Sequence, residues 1–112
     1  MTFDELKKNK PTTLWIESDE DGEFFTEEKI NATNKVLDSY INHLEQLGEN
    51  PTEAAIMQIV EEVVIKINEL NIEHDQFIET MEREDLYEFI DTAAQIAGLE
   101  SEEDITEEWR EW

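Results

Sequence analysis

The side chains in this sequence best suited to chemistry are four carboxylates, Glu17, Asp19, Asp21 and Glu28. With Glu17 as the first position of a loop, Asp19 falls third, Asp21 fifth, Gly22 sixth and Glu28 twelfth. A hard divalent cation such as calcium needs oxygen at alternate positions, a glycine for the sharp turn and a last glutamate binding through both oxygens. A plain acidic turn is the competing reading, because a chain with 31 Asp and Glu produces such spacings easily. Other chemistries find less to work with. The absence of cysteine removes disulfides and thiolate metal ligands. His43 has no His or Glu at ligand spacing. His74 lies between Glu73 and Asp75, which could suggest a metal or acid–base site. A solvated turn is the favoured reading, because a single His flanked by carboxylates is common in acidic chains. No Ser-His-Asp grouping or glycine-rich phosphate loop stands out, and a catalytic carboxylate needs a shifted pKa in a cleft. The expectation is a protein without enzymatic activity and without a cofactor.

The segment from Glu17 to Glu28 resembles an EF-hand loop, and a helix starting near Thr26 agrees with the exit of such a loop. Three features depart from that pattern. Glutamate replaces aspartate at the first position, Pro11 and TTLWI stand where an entering helix belongs, and no second loop is present for pairing. The resemblance implies calcium held by Glu17, Asp19, Asp21 and Glu28. The departures favour a plain turn with no tight site, and a calcium module is kept as the alternative.

A second group of residues points to recognition. The 31 acids against eight Lys and Arg give a net charge of −23. From Val36 onward there are 22 acids against Lys66, Arg83 and Arg110. Glu82, Asp85 and Glu88 recur every three residues, and Glu107 and Glu108 lead to Trp109 and Trp112. Carboxylates beside an aromatic anchor suit a basic protein surface, with charge setting the association rate and the buried ring the affinity. The same charge excludes nucleic acid and anionic membrane, whose phosphates require Lys and Arg. These seven residues are therefore the expected partner-binding site. Tryptophans near a chain end also commonly close over the core, so Trp112 decides between the two readings.

The elements that must position these groups are helical. The stretch Asn50 to Asn71 is the organising segment, with Asn50 as cap, Pro51 at the first helical position, and Ile56, Ile59, Val60, Val63, Ile67 and Leu70 as its apolar stripe. Its β-branched residues allow a strand reading, which its length opposes. A helix over Thr26 to Leu47 carries Ile30, Thr33, Leu37, Tyr40, Ile41, Leu44 and Leu47 inward. The short Gly48-Glu49-Asn50 link makes these two helices antiparallel neighbours. A third helix over Ile78 to Ala97 turns Met81, Leu86, Phe89, Ile90 and Ala93 inward and stops at Gly98. Thr2 and Glu5 have capping-box spacing for an N-terminal turn docked through Phe3 and Leu6, in the only net positive segment. Asp21-Gly22 predicts a small hairpin setting Trp15 and Ile16 against Phe24 and Phe25. Ser101 and Asp104 have the spacing to open a short C-terminal helix.

The fold expected is mainly α, a single domain over 1–112. It is an antiparallel bundle of three long helices plus a short C-terminal helix, with a small hairpin or turn near the N-terminus. No apolar run reaches the length of a membrane span and the N-terminus has no export core, so a cytoplasmic protein is expected. EDGEFFTEEK, IKINEL with IETMERED, and FIDTAAQIAG with the closing acidic segment and Trp112 together resemble a family of small acidic bacterial proteins. That family is known only as a domain of unknown function. The resemblance implies a small all-helical domain and carries no activity, ligand or catalytic residue.

Overall fold

The computed structural model describes residues 2–19, 25–74, 76–100 and 104–112. It contains α1 (Phe3–Lys8), α2 (Thr12–Ser18), α3 (Glu27–Gln46), α4 (Glu53–Glu73) and α5 (Thr80–Ala97), with no strand among the described residues. The three long helices form the bundle, and α1 and α2 lie across α3, with α1 also against α5.

The short signals at the helix ends behave as their chemistry requires. The Thr2 hydroxyl accepts from Glu5 N at 3.2 Å, capping α1, and donates to the Glu5 carboxylate. The Thr26 hydroxyl accepts from Lys29 N at the start of α3. Gly48 and Gly98 close α3 and α5 at φ 75° and 117°, where a Cβ would be strained. The start of α4 is a correction. Asn50 has φ 55°, a left-handed geometry that cannot serve as an N-cap, and Thr52 caps instead by accepting from Ala55 N at 3.1 Å.

Helix α4 forms despite Val60, Val63, Val64, Ile65 and Ile67 because it is wedged between neighbours. Ile56, Val60, Val63, Ile67 and Leu70 are buried as the spacing predicts, and Val64, Asn68 and Asn71 are buried beside them. The apolar face is thus wider than one stripe, since α4 meets α3, α5 and the C-terminal tail. Tertiary burial overrides the modest helix propensity of β-branched residues. Between α3 and α5, the buried Tyr40 hydroxyl donates to the Ile90 carbonyl at 2.8 Å. Burial pushes the Tyr40 pKa well up, and the charge of Asp91 adds to it, so the phenol stays a donor.

Two expectations fail around this core. Met81 is 72% exposed and Glu82 takes the inward position at 8% exposed. The reason is angular: Glu82 lies four residues before Leu86 and seven before Phe89, on their stripe, while Met81 is about 100° off it. Trp15 and Ile16 lie on α2, so no ribbon forms there, while Phe24 lies outside the described residues. A lone ribbon is marginal in water, whereas a helix here lets Trp15 pack on Phe25 (5.4 Å) and Phe77 (6.4 Å). Thr12 also bonds Asn34 of α3 at 2.6 Å.

The expected C-terminal helix is reduced to turns. Arg110 N bonds the Thr106 carbonyl, a single helical turn, and no longer run follows. Ser101 lies outside the described residues. Asp104 acts as the cap, accepting from Thr106 N at 2.9 Å and from the Thr106 hydroxyl at 2.6 Å.

Candidate functional site

The acidic row on α5 does not present as one surface. Each three-residue step falls about 60° short of a full turn, so Glu82, Asp85 and Glu88 wind from the buried stripe into solvent. Glu82 is buried, Asp85 is half-buried and Glu88 is exposed. Asp85 has an internal role as well: its Oδ2 accepts from Trp15 Nε1 at 3.0 Å, joining α2 to α5. Of the three, Glu88 is fully available and Asp85 partly so. Glu82 belongs to the interior.

The tail is placed differently from the expectation too. Glu107 and Glu108 are exposed, but Trp112 is 7% exposed and belongs to the core. It is not an anchor held out for a partner. Trp109 is half-buried, and its carbonyl accepts from Asn68 Nδ2 at 2.8 Å. Asn68 Oδ1 in turn accepts from Glu111 N at 2.9 Å, so one amide on α4 grips the tail backbone from both its ends. The Arg110 guanidinium lies 5.6 Å from the Trp112 ring centroid and bonds Asp104 at 2.9 Å.

These contacts set the local electrostatics. Burial acts to raise the Asp104 pKa, but bonds from the Thr106 hydroxyl and amide, and the nearby Arg110, outweigh it and hold the carboxyl below its ordinary range. Asp91 on α5 goes the other way, raised by burial and by the charge of Asp104. The Tyr87 hydroxyl is raised by burial and then by Asp91 and Asp104, so the tail and α5 share one electrostatic neighbourhood. Sequence reasoning missed Asn68 and Arg110. The available signal was an asparagine on the buried side of a helix, which demands a partner.

A groove between the N-terminal helices and α5 was not expected. Its volume is about 220 Å³, with Leu6, Pro11 and Phe89 buried beneath it and Leu14, Asp85 and Glu88 at its edge. Leu14 is 60% exposed. A larger hollow of about 730 Å³ lies between Phe3, the Gly48–Pro51 turn and the end of α5 at Gly98. Of its two carboxylates, Glu45 and Glu49, the first is engaged by Lys7 at 2.6 Å, which raises the lysine pKa.

The candidate calcium residues are partly accounted for. Helix α2 ends at Ser18 and α3 opens at Glu27, so a helix does precede the loop, contrary to the reading of TTLWI. Glu17 is exposed in the last turn of α2 and Glu28 in the first turn of α3. Asp19 Oδ2 accepts from Phe25 N at 2.7 Å. Asp21 lies outside the described residues, as does Asp75 beside His74. Among the described residues no group of three His, Asp or Glu is arranged to hold a metal ion.

No protein-family profile matches the chain, and no curated protein or solved structure is significantly similar to it. No helix of the described residues is long and apolar enough to cross a membrane.

Proposed function

We propose that this is a non-enzymatic binding protein whose acidic surface meets a basic protein, in the manner of an inhibitor, an immunity-type protein or a nucleic-acid mimic. One observation carries the reading. Lys7, Lys10 and Arg110 are held by Glu45, Asp38 and Asp104 at 2.6, 2.7 and 2.9 Å. Three of the eight cations are thus engaged within the fold, while Glu88, Glu107 and Glu108 face water. With a net charge of −23 the outward field attracts basic surfaces and repels phosphate. Affinity then has to come from an apolar contact other than Trp112. A bacterial cytoplasm is the setting this reading adopts, and the lack of cysteine is compatible with it.

The test follows a partner recovered from a bacterial lysate into purified binding measurements. Association should slow steeply as salt rises, and Glu88→Gln with Glu107→Gln and Glu108→Gln should lower the on-rate more than they raise the off-rate. A partner without a basic surface, or an affinity indifferent to salt, would overturn the proposal.

A second reading, calcium binding, is favoured by the helices that bracket Glu17 to Glu28. Millimolar calcium should then raise the melting temperature, and Glu28→Gln should remove the rise. Equal stabilisation by sodium at matched ionic strength would reduce the loop to an acidic turn, because any salt relieves self-repulsion at −23.

A further inference from the structure

We infer that the groove between α2 and α5 receives one large apolar side chain from a basic segment of a partner protein, with Asp85 and Glu88 pairing the lysines or arginines that flank it. The inference rests on the proposed function and gives the acidic surface its point of affinity.

Among the described residues the exposed large apolar side chains are Leu14, Ile16, Ile65, Ile72 and Met81, and two of them bear on the groove. Leu14 stands 60% exposed at the groove edge. Met81, 72% exposed, lies one helical turn before Asp85 on the same side of α5. Exposed apolar side chains thus stand at the groove edge and one turn beyond it, and methionine is a side chain that adapts readily to a docking partner. The floor is apolar and already packed, because Leu6 and Phe89 are both buried at 4% exposed.

Size selects the occupant. The volume of about 220 Å³ is below the roughly 300–1,000 Å³ of small-molecule sites, which favours a protruding side chain over a cofactor. Charge selects its surroundings. The bond from Trp15 Nε1 to Oδ2 at 3.0 Å fixes the Asp85 carboxylate in place, and its other oxygen can accept from a cation. Glu88 is exposed on the same rim. Of the cations next to groove residues in sequence, Lys7 and Lys10 are engaged by Glu45 and Asp38, and Lys8, beside Asn9, is exposed. A second copy of this chain is disfavoured as occupant, since it would bring another −23 to the contact.

The experiment compares two labelled lysine-rich peptides of equal charge, one with a single central leucine and one with glycine in its place, by fluorescence anisotropy at low salt. The leucine peptide should bind roughly tenfold or more tightly, the return expected for burying one such side chain. Leu14→Ser, an exposed substitution that leaves the core intact, should remove that preference. Glu88→Gln should weaken both peptides. Equal binding of both peptides to the wild-type protein, falling with salt, overturns the groove and leaves the acidic-surface reading standing. A preference that survives Leu14→Ser also overturns it. Binding of neither peptide removes both readings. Salt-promoted dimerisation abolished by Leu14→Ser would make a second copy the occupant and overturn the inference.

Discussion

Residues Phe3–Ser18 and the tail from Asp104 to Trp112 cover the same three-helix core, and among the described residues only the first adds ion pairs with that core to its packing and hydrogen bonds. At the N-terminal end there are two cationic ties, Lys7 on Glu45 and Lys10 on Asp38, both acids of α3. They add to the buried Leu6 and Trp15 and to the bonds from Thr12 to Asn34 and from Trp15 to Asp85. At the C-terminal end the ties are mostly neutral or backbone-directed: the Asn68 amide on two peptide groups, the Asp104 cap, and the buried Trp112. The contrast follows from composition. The N-terminal segment holds Lys7, Lys8 and Lys10 and can attach to an acidic body by charge. The tail is itself acidic, with Arg110 its only cation, and has to be held by groups that ignore repulsion. Charge attachments are screened by salt, and amide and packing attachments are not.

The largest test is at the tail. Trp112→Ala should cost about 3–5 kcal/mol, the usual range for emptying a buried aromatic site. Trp112→Phe should cost far less, because Trp112 Nε1 is buried without a hydrogen-bond partner among the described residues, so phenylalanine gives up no bond. Asn68→Ala comes next, at about 1–3 kcal/mol, since it strands the Trp109 carbonyl and the Glu111 N–H. Denaturant melts of the three variants check the order. A Trp112→Ala protein as stable as wild type would mean that the tail merely rests on the surface.

Much of this arrangement was legible in the sequence where a signal is local. The Thr2 and Thr26 caps, the Gly48 and Gly98 stops and most of the inward stripe of α3 depend on residues within a turn or two of one another. The failures depend on distant partners. Helix α2 replaces the predicted ribbon because Trp15 bonds Asp85, 70 residues away, and Thr12 bonds Asn34. Glu82 and Met81 were exchanged because residue type was weighed above position on the helix. Exposure of Glu88, Glu107 and Glu108 could be expected from the pattern. The groove could not, because Leu14 and Glu88 are neighbours only after folding.

Acid sharpens the comparison within the tail contact itself, where two carboxylates should respond with opposite sign. Asp104 is held below its ordinary value of 3.8, so the unfolded chain takes up that proton more readily. Its stabilisation is complete above 3.8 and is lost as pH falls through the lowered value. Asp91 is raised from 3.8, so its charged form costs stability near neutral pH, and that cost lifts as pH falls through the raised value. Asp104→Asn should therefore lower the melting temperature near neutral pH, and Asp91→Asn should raise it. Both differences should shrink in acid, the Asp91 difference first. Thermal melts across the acid range read this directly, and the same sign for both variants would refute the assignment.

The smallest expected effect lies at the N-terminal end, and salt is the means of detecting it. The Lys10 side chain is the more enclosed of the two lysines, at 18% exposed, yet its partner Asp38 is 45% exposed. An ion pair so open to water contributes less than about 1 kcal/mol. Lys10→Met keeps the aliphatic stem that packs on the fold and removes only the charge. It should lower the melting temperature by a few degrees at low salt. The difference should fade as salt rises, because ions screen the Lys10–Asp38 attraction while also relieving the general repulsion of a chain at −23. The cost of Asn68→Ala, measured in the same buffers, should stay nearly constant. If Lys10→Met costs nothing even at low salt, packing rather than charge holds the N-terminal helices, and the two ends of the chain are attached by the same physics.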